Sequence, residues 1–172
     1  MSRRRVRNLG LGKEWMPERL WKQVLACISI PCVDVILENS RREVLLGWRK
    51  IPPYRNVWAL PGGRVLKGES LRASAQRILA QYRLSAGELF LVGVFPVKFP
   101  TRADFTCCLA SKQPRGVAEP DGSEFSSFIW TRKIPTKIGA NYRKMILGWR
   151  RMRSPEGLTS LCSTLNKKRF HR

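Results

Sequence analysis

The chain has 172 residues, of which 33 are Lys or Arg and 12 Asp or Glu, a formal net charge of +21. That length suits one domain with its own core plus short extensions. No apolar run approaches the roughly 20 residues of a membrane-spanning helix, so we expect a soluble protein, no membrane partner and the cytoplasm as the default compartment. The five cysteines, at positions 27, 32, 107, 108 and 162, are odd in number and form no Cys-x-x-Cys pair, and the single histidine is His171. A Cys/His zinc site therefore has no ligand set, and Cys–His or Ser–His catalysis has no base. Reduced, buried cysteines are expected.

Pro17 opens an amphipathic stretch in which Leu20, Trp21, Val24 and Leu25 share one helical face. Residues 27–38 are rich in Ile and Val and read as a strand, with Asp34 a lone charge inside it. Residues 39–42 form a turn, and Glu43 to Arg49 reads as the hairpin partner of that strand. After Pro52-Pro53 comes a short strand from Val57 to Leu60, then the tight turn Pro61-Gly62-Gly63. Ser70 is placed to cap a helix with Leu71, Ala75, Ile78, Leu79 and Tyr82 on its apolar face. Glu88 to Val97, Phe105 to Ala110 and Phe125 to Trp130 read as further strands, with 112–123 a loop. Past Pro135 a helical stripe runs through Ile138, Tyr142, Met145, Ile146, Trp149 and Met152. The order of elements predicts an α+β fold, a sandwich of helix, mixed sheet and helix. A domain over 17–153 would lie between a basic arm (1–16) and a basic tail (154–172).

The charge is uneven. Residues 1–25 carry seven basic and two acidic side chains, 26–131 fourteen and nine, and 132–172 twelve and one. Such termini attract polyanions, of which nucleic acid is the commonest in a cell.

The motif that carries chemistry is Gly62-Gly63-Arg64-Val65-Leu66-Lys67-Gly68-Glu69, with Arg77 eight residues further on. Paired glycines let a backbone approach phosphate, or a cation bound to phosphate. The spacing of Gly63, Glu69 and Arg77 resembles the first half of a Nudix box. The three glutamates of that box's second half correspond to Ile78, Gln81 and Tyr82. The wider chain, over roughly residues 17–150, resembles the GDP-mannose mannosyl hydrolase branch of the Nudix superfamily. That likeness rests on 35–40, 44–49, 58–65, 67–71 and 140–143.

The resemblance implies a Nudix-type α/β/α sandwich, a nucleotide-sugar or nucleoside-diphosphate ligand, a magnesium ion, and a homodimer joined through the N-terminal segment. It assigns Asp34, Arg49, Arg64 and Glu124 to catalysis and Asp34, Arg49, Arg64 and Arg77 to substrate. Backbone groups of Gly62 and Gly63 would hold magnesium together with Glu69 and Glu124. It would also put Phe125 where the branch has its histidine base. Plainer readings stand beside these. Glu69 suits a helix start, Arg77 suits a structural ion pair, Arg49 and Arg64 suit a basic surface, and Trp48 and Trp58 suit a core. Two functions follow: a magnesium-dependent hydrolase of weakened activity, or a catalytically retired Nudix fold binding RNA or DNA through its basic termini. A sensor that binds a nucleotide sugar without cleaving it is a third.

Overall fold

The computed structural model describes residues 17–99 and 102–153. The expected arm and tail lie outside the described residues. In chain order the elements are α1 (Glu18–Cys27), β1 (Ser29–Leu37), β2 (Val44–Arg49), β3 (Trp58–Ala59), β4 (Gly62–Arg64) and α2 (Leu71–Ala80). They continue with β5 (Leu84–Ala86), β6 (Phe90–Phe99), β7 (Arg102–Ser111), β8 (Pro114–Gly116), β9 (Phe125–Thr131) and α3 (Ala140–Met152).

Three sheets result, ordered β4-β1-β7-β6, β3-β2-β9 and β5-β8. The first is mixed, because β1 runs parallel to β7 and antiparallel to β4. With a strand on each side, β1 is buried from Cys32 to Leu37, which is why it reads as a near-continuous apolar run. Helix α2 packs on β1, β4 and β5, and α3 packs on β6. The helix–mixed sheet–helix arrangement expected from the sequence is the one found. Ser70 caps α2 as expected, its hydroxyl accepting from the Ala73 N–H at 3.1 Å.

The hairpin reading of β1 and β2 needs correction. The two strands meet only at the bridge Glu38–Val44, and β2 instead pairs with β3 and β9. The reason is that the two edges of β1 are taken: β7 lines its whole length, and β4 lines Cys32 to Asp34. The Glu38 N–H likewise goes to the Ser111 carbonyl at 2.9 Å. The expected loop at 112–123 also contains β8, which closes on β5. Strands of three residues are too short to show a period of two.

Below β2 lies an aromatic triangle. Tyr82, Phe125 and Phe128 have ring centroids 5.2–5.3 Å apart, and Tyr82 and Phe125 are fully buried. Gly47 makes room for it, since a Cβ there would come within 2.5 Å of the Phe125 ring. Trp48 and Trp58 meet edge to face at 5.2 Å as half-buried wall residues. Cys32 and Cys108 are buried as expected, but Cys27 is exposed on α1, a departure from the sequence expectation.

Candidate functional site

Side chains alternate along a strand, so Ile30, Cys32 and Asp34 share one face of β1. The register puts Asp104, Thr106 and Cys108 of β7 beside them, and Arg64 and Gly62 of β4 across from Cys32 and Asp34. Of the ionisable groups the sequence singled out, that face holds Asp34 and Arg64, while Arg49 and Glu124 stand close enough to act on the Asp34 charge.

Asp34 is 8% exposed. Its carboxyl oxygen occupies the space a Cβ on residue 62 would take, so the first glycine of the pair is required by Asp34 rather than by a ligand. Burial drives the Asp34 pKa up to about 7, against the pull of Arg49, with Asp104 and Glu124 adding to the rise. Arg49 is held from several sides. Its Nε donates to the carbonyls of Ile51 and Pro53, at 3.2 and 3.0 Å, and its Nη1 pairs with Glu124. Lys50 donates its N–H to the Glu124 carbonyl at 2.8 Å.

Arg64 and Arg102 form a second group. The Arg64 guanidinium lies 4.4 Å over the Trp21 ring and the Arg102 guanidinium 5.0 Å over Phe99. Arg102 donates to Asp104 Oδ2 at 2.9 Å. Asp104 Oδ1 and Arg102 Nε, both buried, have no hydrogen-bond partner among the described residues. Burial lowers the Arg64 pKa, the charge of Arg102 lowers it further, and Asp104 opposes. Cys32, in the same neighbourhood, stays a thiol: burial pushes its pKa to about 12. Tyr54 stands against Phe99 and Tyr142, each 5.5 Å away. Sequence reasoning missed Arg102, Asp104, Trp21 and Phe99. One signal was available: Arg102-x-Asp104 in an apolar strand sets opposite charges on one face.

Glu69 and Arg77 form a separate clamp. Arg77 donates Nε to Glu69 Oε1 at 2.6 Å, and its Nη2 to Oε2 and to the Arg64 carbonyl, both at 2.8 Å. The Ser74 hydroxyl (2.7 Å) and the Leu66 N–H (3.0 Å) complete the set. These bonds, Arg77 first among them, pull the Glu69 pKa down to about 2. The clamp fixes the loop between the glycine pair and α2.

Glu69→Gln is therefore expected to cost about 1.5–3 kcal/mol at neutral pH, the worth of hydrogen bonds to a charge. The folded carboxylate sits below its unfolded value of 4.5, so its stabilisation is present above that pH and fades as pH falls toward 2. Urea unfolding at pH 7 and at pH 3 should show the gap between wild type and variant narrowing in acid.

The magnesium implied by the resemblance does not fit these residues. The partners that set Glu69's ionisation are Arg77, Ser74 and Leu66, while Glu124 is paired with Arg49 beside Asp34. No group of three or more His, Cys, Asp or Glu able to hold a metal exists among the described residues. Magnesium wants several hard oxygens in octahedral array. At the end of α2, where the box would supply carboxylates, Ile78 and Tyr82 are buried in the core, as is Phe125, which the resemblance would set at the base's position.

Comparison with known proteins agrees with this architecture. The family model "NUDIX domain" matches residues 29–133, more than half of the chain. The chain is 31% identical over 115 residues to a Bacillus subtilis protein described as "Putative 8-oxo-dGTP diphosphatase", covering 65% of this chain and 74% of that one. It is 33% identical over 63 residues to the "Low-salt glycan biosynthesis protein Agl8" of Haloferax volcanii, and there it spans 37% of its own length and only 40% of the relative's. Among solved structures, the NUDIX domain of Shewanella oneidensis NrtR, complexed with ADP ribose, superposes with a TM-score of 0.63 at 19% identity, over 81% of this chain and all of the other. A MutT NUDIX hydrolase from Burkholderia pseudomallei gives 0.61 at 18%, over 70% and 98%. The chain belongs to the Nudix family.

Proposed function

We propose that the protein binds a nucleoside diphosphate or nucleotide sugar on the β4-β1-β7 face and turns it over slowly or not at all. The observation that carries this reading is the pair Arg64 and Arg102, each seated on an aromatic ring, with a half-paired Asp104 as their shared acidic neighbour. Guanidinium groups take phosphate oxygens bidentately, and like charges held together are relieved by an incoming diphosphate. Asp104 Oδ1 is an acceptor free for a ligand hydroxyl. Asp34 continues that face with Arg49 and Glu124 next to it, and burial holds the Asp34 carboxyl well above the usual carboxylate range. Arg77 acts at one remove, by holding the Arg64 carbonyl.

The nucleotide class is supported by the ADP-ribose bound to the Shewanella domain and by the name of the Bacillus relative. The likeness in 35–40 and 44–49, with the glycan-biosynthesis relative, favours a nucleotide sugar within that class. A cytoplasmic setting is consistent with Cys27, Cys32, Cys107 and Cys108 being free thiols, since disulfides are rare in reducing compartments. No helix among the described residues is long and apolar enough to cross a membrane.

The test is calorimetric titration with GDP and with ADP-ribose, in magnesium and in EDTA. Binding should survive chelation, and Arg102→Gln should weaken it about tenfold, the loss of a charged hydrogen bond. A coupled assay for GDP and free sugar should read near background. Magnesium-dependent release that Glu124→Gln abolishes would defeat the proposal.

A further inference from the structure

We infer that a second site, sharing no residue with the Nudix face, takes the phosphodiester backbone of a nucleic acid. It is an open depression of about 500 Å³ lined by Ser40, Arg41, Arg42, Arg132, Arg150 and Arg153. Three elements converge there: the β1–β2 turn, the residue after β9, and the last turn of α3. Asp34 and Glu38, the acid beneath the hollow, are four residue steps apart along and just past β1, roughly 13 Å of extended chain.

The arginines are tied to one another through backbone rather than through acids. Arg132 Nε donates to the Arg41 carbonyl at 2.7 Å, and Arg150 donates to the Arg132 carbonyl. One carboxylate lies beneath them. Glu38, 3% exposed, meets Arg153 Nε at 3.2 Å and accepts from Trp149 Nε1 at 3.1 Å. Among the described residues, five guanidinium groups thus surround one buried carboxylate. A helix C-terminus favours cations, which accounts for Arg150 and Arg153. It does not account for Arg41, Arg42 and Arg132, which other elements deliver to the same hollow. Mutual repulsion is visible at Arg150, whose pKa is lowered by burial and then by Arg153.

The lining also indicates what kind of anion fits. Among the described residues no aromatic ring lines the hollow, so they offer nothing to stack a base, and contacts would go to phosphate. Small-molecule sites enclose most of their ligand, whereas this one is open on its outer side. A backbone laid across it, attracted by a chain of net charge +21, suits that shape.

The experiment is fluorescence anisotropy of the full chain with a labelled mixed-sequence RNA, followed against salt. Arg41→Gln with Arg42→Asn is the main variant, because Arg42 has a φ of 61° and Asn tolerates that region. Neither side chain is in a hydrogen bond or ion pair among the described residues, so melting should match wild type. The slope of log Kd on log salt should fall by about 1.4, twice the ~0.7 per phosphate contact of a single strand. Arg41→Lys should keep most of it. Lys167→Gln with Lys168→Gln, in the C-terminal tail, should change the slope less than the main variant does. Inorganic triphosphate should compete only weakly. A slope unchanged in the main variant, or one lost with the tail lysines instead, overturns the site. So does tight, Arg41-dependent binding of triphosphate with no binding of RNA.

Discussion

Phe125→Ala is expected to remove about 3–5 kcal/mol of stability, the range for deleting a buried aromatic. The ring is fully buried and packs on both Tyr82 and Phe128, so its loss opens a cavity that two large neighbours line. Collapse into it is limited from the other side by Gly47, whose missing side chain is what admits the ring. That is a large share of a typical domain's roughly 5–15 kcal/mol. Chemical denaturation should show a much lower midpoint with an unchanged slope, the sign of lost stability without a change in the surface exposed. Phe125→His, which writes the base of the resembled branch back into the chain, should fare badly for a related reason. Its imidazole would enter a site packed by the Tyr82 and Phe128 rings and by Gly47, and a buried polar atom without a partner is costly. A thermal melt of Phe125→His at or above the wild-type value would mean that the triangle is not a closed part of the core.

The second large effect concerns pH. Asp34 titrates near 7 in the folded protein against 3.8 unfolded. An acid whose folded pKa is raised binds more protons folded than unfolded between those two values, so stability declines as pH rises from about 4 to about 7. The slope is about 1.4 kcal/mol per pH unit in the middle of that window, several kcal/mol in all. Asp34→Asn keeps the shape without the charge and should flatten the decline. The variant should equal wild type near pH 4 and exceed it clearly at pH 8. Glu69 works in the opposite sense below pH 4.5, so these two groups together should put a stability maximum at about pH 4. Urea titrations at half-unit intervals would trace both limbs. A wild-type curve flat from pH 5 to 8 would remove the buried-carboxylate account.

How much of this was legible in the sequence depends on the range of the interactions. The sequence marked Arg77 for an ion pair and Glu69 for the start of a helix, but not that the two hold each other. Ser70 was legible as a cap because it adjoins the helix it starts. The position of Asp34 inside an apolar strand signalled a buried acid but not its neighbours. Arg102 and Asp104 reach Arg64 only because β7 docks parallel to β1, and no local pattern announces a parallel partner. The expected union of Arg49 and Arg64 did not emerge either. Arg49 turns to the carbonyls of its own following loop and to Glu124, while Arg64 turns to Trp21 on α1. The arginine hollow escaped because its members are scattered over residues 41 to 153, and a count of charge carries no information about convergence.

The parallel docking of β1 beside β7 also has a kinetic side. Ser29 pairs with Ala103 and Leu37 with Ser111, so roughly seventy residues must be looped before this ladder begins to form. Pairings so remote in sequence slow folding toward milliseconds or longer. On a ribosome the acid of β1 would wait for its neighbours until the chain had grown past β7. Until then the most apolar strand of the domain would have no lasting partner on that edge, which makes it the segment most in need of shielding during synthesis.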